Sequence, residues 1–155
     1  MTNFLGEYEV ALDAKGRFLL PSGFRKQMAE GTGMQFVIKR DFEKCLTIYP
    51  IDTWKAISDK LNKLNDLKQG VREFKRLFLN GATMVDLDSA DRMLVPKALM
   101  EYAEIKKDGV LAAQSNKLEL WDKDTYYNYL SQNAVNMSRL AEEVANDNGN
   151  LFENL

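Results

Sequence analysis

The amino-acid sequence predicts an α+β, β-rich fold in which two internal repeats complete one another as a pseudo-twofold β-barrel with flanking helices. Three observations predict it. Leu12 to Pro21 reads L-D-A-K-G-R-F-L-L-P and Leu87 to Pro96 reads L-D-S-A-D-R-M-L-V-P, so Asp13, Arg17 and Pro21 recur as Asp88, Arg92 and Pro96 at one offset of 75. The register holds back to Val10 and Val85 and forward to Phe24 and Leu99. Next, Leu46-Thr47-Ile48-Tyr49 matches Leu118-Glu119-Leu120-Trp121 at an offset of 72, so three residues are lost in between while register survives on both sides. Duplication of one supersecondary unit produces that pattern. Lastly, a unit of about 45 residues is too small to bury a core alone, and two copies in one chain can share one.

Along the first repeat, Tyr8, Val10 and Leu12 alternate with Glu7, Glu9 and Ala11, the period of a half-buried strand. Asp13-Ala14-Lys15-Gly16 supplies turn formers, Gly16 being suited to a positive φ, and residues 17–20 resume strand character. A hairpin with Lys15 and Arg17 at or beside its tip is the expectation. Pro21 ends the strand. Ser22 is placed to N-cap a short helix with Phe24 and Met28 on one face, closed by Gly31-Thr32-Gly33. Strands over 35–39 and 45–49 flank a turn at 40–44 and stop at Pro50. Asp52 or Thr53 can cap a helix whose Trp54, Ile57, Leu61 and Leu64 fall at helical spacing. Residues 65–70 break it, and a helix over 71–79 puts Val71, Phe74 and Phe78 on one side and Arg72, Lys75 and Arg76 on the other.

The second repeat replays the plan: a strand over 83–87, a turn over 88–91, a strand over 92–95 and a short helix over 97–103 after Pro96. Strands over 110–113 and 117–121 follow, then a helix capped within 122–125 and running through Tyr126, Tyr129 and Leu130. The chain thus divides into repeats at 1–80 and 81–140, with 141–155 as an acidic, flexible tail.

Composition bounds the chemistry. The 155 residues suit one compact domain or two halves sharing a core. The single cysteine, Cys45, excludes an intramolecular disulfide and reads as a buried structural thiol in an apolar strand. There is no histidine, so the usual proton shuttle and the commonest metal ligand are absent. That argues against an enzyme. The N-terminus lacks a signal-peptide pattern and no segment approaches the roughly 18 apolar residues of a membrane span, so a soluble, cytoplasmic protein is expected. Net charge is −2, yet residues 141–155 carry four acids and no base, leaving 21 bases against 19 acids elsewhere. The total hides basic regions.

The residues that invite chemistry are those of the repeated motif. A carboxylate four residues before an arginine across a tight turn orients or pairs with it, which assigns Asp13 and Asp88 a motif role beside Gly16. An exposed ion pair adds little stability, so stability alone is a poor reason to repeat it. Arg17 on a two-stranded ribbon can read guanine N7 and O6, Lys15 suits a phosphate, and Arg92 is the second-repeat equivalent. The basic side of the 71–79 helix is a solvated surface, a subunit contact to a neighbour's acids or a secondary phosphate contact. Tyr126, Tyr127 and Tyr129 read as core and interface. Asp86, Asp88 and Asp91 hint at a metal loop, but calcium spacing wants an oxygen at Ala90 and a bidentate acid near Lys97. No cofactor, metal or small-molecule substrate is expected.

The doubled D-x-x-x-R, each copy followed by an apolar triplet and proline, resembles the MraZ family, two fused copies of the SpoVT/AbrB or MazE-like swapped-hairpin module. L-T-I-Y-P at 46–50 with Trp54, R-E-F-K-R-L-F-L-N-G-A at 72–82 and N-K-L-E-L-W at 116–121 extend the resemblance over residues 1 to about 140. It implies a swapped-hairpin AbrB-like β-barrel and a nucleoid-associated regulator that binds double-stranded DNA at tandem repeats upstream of the division and cell-wall gene cluster. It also implies a homo-oligomer closed into a ring. Position by position, Lys15 and Arg17 with motif acid Asp13 match in the first repeat, and Asp88 and Arg92 in the second. Ala90 and Asp91 stand where the first copy has Lys15 and Gly16. A carboxylate beside Arg92 opposes phosphate, so the first hairpin is expected to dominate. The rival expectation is an antitoxin-like or scaffold module that holds a protein partner, with the acidic C-terminal segment as its docking arm.

Overall fold

The computed structural model describes residues 2–28 and 33–148, and the chain divides into two compact units after Lys123. In the first unit the elements run β1 (Glu7–Ala11), β2 (Arg17–Leu19), α1 (Ser22–Arg25), β3 (Gln35–Arg40), β4 (Leu46–Pro50), α2 (Ile51–Asn62) and α3 (Gln69–Leu79). The second repeat supplies β5 (Thr83–Asp86), β6 (Arg92–Leu94), α4 (Lys97–Ala103), β7 (Asp108–Gln114) and β8 (Lys117–Asp122). Then follow α5 (Lys123–Asn133), a single 3₁₀ turn (Ala134–Asn136) and α6 (Met137–Asn148), which runs through much of the segment expected to be a flexible tail. Residues 149–155 and the expected closing residues Gly31 and Thr32 lie outside the described residues.

The strands make a six-stranded antiparallel sheet, β1-β7-β8-β4-β3-β5, and a two-stranded ribbon, β2-β6. Among the described residues only β3·β4 and β7·β8 are hairpins within a repeat. Every other pairing crosses from one repeat to the other, β1 with β7, β3 with β5, β4 with β8 and β2 with β6. The crossings obey the pseudo-twofold. In the ribbon Phe18 faces Met93, its own repeat equivalent, while Arg17↔Leu94 and Leu19↔Arg92 exchange roles on either side. Leu20 N–H to the Asp91 carbonyl (3.0 Å) and Val95 N–H to the Gly16 carbonyl (2.9 Å) extend the same reciprocity. In the sheet Thr47 faces Glu119, flanked by Leu46↔Leu120 and Ile48↔Leu118. Val37↔Tyr49 corresponds to Val110↔Trp121, so β7 lies 73 residues after β3 and β8 lies 72 after β4. Two of the three missing residues therefore fall before the third strand of the repeat and one in the hairpin turn.

Two expectations change. The turn at Asp13–Gly16 is tight, closed by Gly16 N–H to the Asp13 carbonyl and Asp13 N–H to the Arg17 carbonyl, both 2.9 Å. The strands it joins nonetheless do not pair, because β7 satisfies β1 and β6 satisfies β2. The expected hairpin is a corner between two sheets, and the ribbon is built from both repeats. The sheet also ends at β1 and β5, so among the described residues no barrel closes. These two edges are repeat equivalents: β1 exposes every residue but the half-buried Val10, and β5 alternates half-buried Thr83 and Val85 with exposed Met84 and Asp86.

Period-two alternation places Phe36, Ile38, Leu46, Ile48, Leu111, Leu118 and Leu120 on one face of the sheet, where they meet Phe18, Leu20, Phe24, Met93 and Leu99. The ribbon covers that core with Phe18 and Met93. On the opposite face α2 packs against β3 and β4. All three prolines of the chain do one job: Pro21, Pro50 and Pro96 stand at the N-caps of α1, α2 and α4 with φ near −56°, and no side chain caps those helices. The expected caps Ser22 and Asp52 sit one or two residues inside, because proline's fixed φ already launches the helix.

Phe18 lies on the pseudo-axis and is 1% exposed. Phe18→Ala should lower unfolding stability by about 3–5 kcal/mol in urea denaturation; a loss under about 1 kcal/mol would contradict a core closed by the ribbon.

Candidate nucleic-acid interface

The repeated motif folds into the same device twice. Asp13 accepts the backbone N–H groups of Lys15 (3.0 Å) and Arg17 (2.9 Å) on Oδ1 and the Arg17 Nε on Oδ2 (2.8 Å). Asp88 accepts Ala90 and Arg92 N–H (2.9 Å each) on Oδ1 and Arg92 Nε on Oδ2 (2.8 Å). An aspartate fits because its short side chain reaches the backbone two residues on. The Arg17 N–H holds the Asp13 carboxyl below its ordinary value, outweighing desolvation, with the guanidinium and the Lys15 N–H adding to the effect; the Arg92 N–H does the same for Asp88. Each arginine is thereby clamped through Nε. Among the described residues the Nη groups of Arg17 and Arg92 have no hydrogen-bond partner, which leaves free the fork with which a guanidinium can make paired hydrogen bonds.

The fold then joins what the chain separates. Phe18 and Met93 point inward, so Arg17, Leu19, Arg92 and Leu94 occupy the outward face of the β2-β6 ribbon. Arg17 and Arg92 lie on one diagonal, with backbones about 7–8 Å apart by strand geometry. Leu19 and Leu94 stand between and beside them, 55% and 49% exposed. Two isolated tips were the expectation from the sequence; one ribbon with two clamped arginines is the arrangement. The signal lay in R-F-L and R-M-L, where one apolar residue buried between two outward ones marks a shared ribbon.

The two corners differ beside the ribbon. Gly16 has φ 86°, and a Cβ there would meet Met100 Sδ at 2.9 Å and the Val95 carbonyl at 3.0 Å. Its equivalent, Asp91, takes the left-handed conformation at φ 59° and meets Arg25 Nη1 at 3.0 Å. Arg25 and Met100 are themselves repeat equivalents, so a charged pair at one corner replaces a steric contact at the other. The carboxylate expected to oppose phosphate beside Arg92 is balanced by Arg25. Lys15 is exposed and lines a cleft of about 610 Å³ with Lys97 and Lys106, opposed by Glu101 and Glu104.

Other basic candidates have structural tasks. Lys75 meets Asp66 at 2.6 Å, and Arg72 Nη1 donates to the carbonyls of Asp66 (2.9 Å) and Leu67 (3.1 Å), so both tie α3 to the segment before it. In α5, Tyr126 is buried and its ring meets that of Tyr127 edge-on at 5.5 Å.

One cluster escaped the sequence altogether. Asp41, Cys45 and Glu119 bring their ligand atoms within 4.8 Å of one another. Glu119 lies 74 residues beyond Cys45, so no motif spacing announces it. Burial first, and hydrogen bonding to Asp41 second, push the Glu119 carboxyl up to about 7, against the Trp121 indole N–H donated to it at 3.1 Å. Burial also acts to raise Asp41, but bonds from Glu119, the Phe42 N–H and Thr47, with the Lys117 charge, hold it ionised. The proton rests on Glu119. Burial and the neighbouring carboxylates push the Cys45 thiol up, and it donates to Asp41 at 3.4 Å. A protonated thiol and a protonated Glu119 both face the ionised Asp41, which makes the trio a part-buried hydrogen-bonded network.

Comparison with known proteins agrees with the doubled architecture. The model of the family described as "MraZ protein, putative antitoxin-like" matches residues 3–77 and again 78–148. A protein named Transcriptional regulator MraZ from Christiangramia forsetii is 41% identical over 145 residues, 93% of this chain and 94% of its own length. Proteins of the same name from Natranaerobius thermophilus and Clostridium acetobutylicum are 37% identical, over 91% and 92% of this chain and 96% of theirs.

The Glu119 carboxyl binds a proton in the fold that the unfolded chain, with an ordinary value of 4.5, releases earlier. Its contribution is fully present below pH 4.5 and is lost as pH rises through about 7. Thermal melts should therefore fall by several degrees between about pH 5 and pH 8, and Glu119→Gln should flatten that slope. An unchanged slope in Glu119→Gln would contradict the proton assignment.

Proposed function

The chain belongs to the MraZ family, and from that membership we propose that it is a sequence-specific, double-stranded-DNA-binding transcriptional regulator that works as a homo-oligomeric ring and catalyses no reaction. The observation that carries the proposal is the outward face of the β2-β6 ribbon, where Arg17 and Arg92 each keep an unengaged Nη fork beside an aspartate clamp. A two-stranded ribbon fits the major groove. There a clamped guanidinium meets guanine O6 and N7 without first losing rotamer freedom, worth about 1–3 kcal/mol of discrimination. Leu19 and Leu94 suit thymine methyl groups. Lys15, with Lys97 and Lys106 behind it, suits the phosphate backbone.

The cross-repeat pairing supports a swapped-hairpin, AbrB-like arrangement, and the double family match supports repeats over 1–80 and 81–140, followed by the acidic segment 141–155. The family resemblance supports targets that are tandem repeats upstream of the division and cell-wall gene cluster, and a cytoplasmic, nucleoid-associated setting. No helix among the described residues is long and apolar enough to cross a membrane. One ribbon per subunit makes few contacts, so several subunits on spaced repeats supply affinity by raising effective concentration. The antitoxin-like family description favours a second reading, a protein-holding module. A co-purifying basic protein, with no salt-dependent DNA shift, would select it.

Arg17→Ala should abolish the specific gel shift while moving the circular dichroism melt by only a few degrees, since the ion pair it removes is exposed. Retained binding would overturn the assignment. An array of repeats should bind at least about 100-fold more tightly than one repeat, and salt should weaken both steeply; equal affinities would exclude avidity.

A further inference from the structure

A second surface carries demands that the DNA interface does not use. The turn between β3 and β4, together with α3 and α4, forms a groove of about 330 Å³ lined by Phe42, Phe74, Leu77, Phe78 and Tyr102. Phe78 stacks on Trp54 (6.3 Å) and Phe74 (5.5 Å), and Phe42 leans over it at 6.5 Å. Phe42 and Leu77 are 82% and 73% exposed. An apolar patch of this kind marks an interaction site.

The groove is also cationic. Lys39 Nζ stands 4.0 Å from the Phe78 ring, and Arg40 and Lys44 stand 4.9 and 4.8 Å from the Tyr102 ring. Among the described residues none of the three forms an ion pair, and the buried Arg40 Nε has no hydrogen-bond partner. The acids nearby are Asp41, engaged with Glu119, and the exposed Glu43. Burial pulls the Lys39 ammonium below its ordinary value, Asp41 opposing and Lys117 assisting.

The chain itself contains the complementary element. On α6, Met137, Leu140 and Val144 form an exposed stripe at i, i+3 and i+7, the spacing of a helix that docks in an apolar groove. The same helix carries Glu142, Glu143 and Asp147 against one base, Arg139, already paired with Glu143 at 2.6 Å. Each surface is exposed within its own unit. We infer that the groove over Phe74, Leu77 and Phe78 receives α6 of a second copy of this chain, its apolar stripe on the rings and its carboxylates towards Arg40 and Lys44.

Such a contact joins two different patches, so it is heterologous. Each added copy brings one free groove and one free helix, and the series ends only when it closes into a ring. The inference rests on the ring-forming reading above and names the surfaces that make the ring.

The test uses full-length chains and light scattering after size exclusion. Leu77→Glu in the groove and Leu140→Glu on α6 should each reduce the oligomer to single chains with an unchanged circular dichroism melt. Mixed, they should form 1:1 dimers and nothing larger, because the mixture holds one intact groove and one intact helix. Either variant keeping wild-type mass, or a mixture that stays monomeric, would overturn the inference. A wild-type monomer, or lowered melts in both variants without dimers on mixing, would overturn it in favour of docking within one chain. Should a variant misfold, Lys44→Glu should weaken assembly and Asp147→Lys on the same chain restore it; no rescue counts against the contact. A gel shift on one repeat separates the two claims. Binding without mixed dimers sinks only the interface, and mixed dimers without binding sink only the DNA reading.

Discussion

The structure depends on strand pairing between repeats. β1 has no ladder partner in its own repeat, nor has β5, and the ribbon exists only when β2 meets β6. Each repeat is therefore an incomplete sheet, and the two fold as one core. The constraint also explains why register is kept so strictly around the motif. A slip of one residue in β2 would turn Phe18 outward and Arg17 inward, emptying the core and the outer face together. Core packing and the proposed reading face are alternate residues of the same three-residue strand.

The Asp–Arg clamp is the second consequence. Because the chain turns a corner after Asp13 and Asp88, backbone N–H groups are left without a ladder, and a carboxylate there satisfies two of them while fixing the arginine. The same residue thus closes the corner and aims the guanidinium. Its ion pair is exposed and adds little to stability. The duplicated motif makes physical sense as a positioning device on a face otherwise lacking rigid polar groups. The corners need not be identical for this to work: glycine against Met100 and aspartate against Arg25 both allow the left-handed turn.

Much of this was legible in the sequence. Alternation located the first strand, and apolar runs bounded by turn residues, together with the repeat offset, located the other seven. Proline positions marked three helix starts. What could not be read was which strand pairs with which, since a turn such as Asp13–Gly16 suits a hairpin and a corner equally well. That choice is tertiary, made when β6 and β7 offer better partners than β1 and β2 offer each other. The Asp41–Cys45–Glu119 network was invisible for a like reason, as it forms only when β4 pairs with β8. The extra helix α6 was hidden by polar composition, although Met137, Leu140 and Val144 keep helical spacing.

The central claim is that both repeats contribute to one reading surface. Dissociation constants on a single DNA repeat, measured for Arg92→Ala beside wild type, test it most directly. A shared ribbon predicts a loss of about 5- to 150-fold, the equivalent of one base-reading arginine. An Arg92→Ala variant that binds as tightly as wild type would contradict it and leave the first corner to read DNA alone.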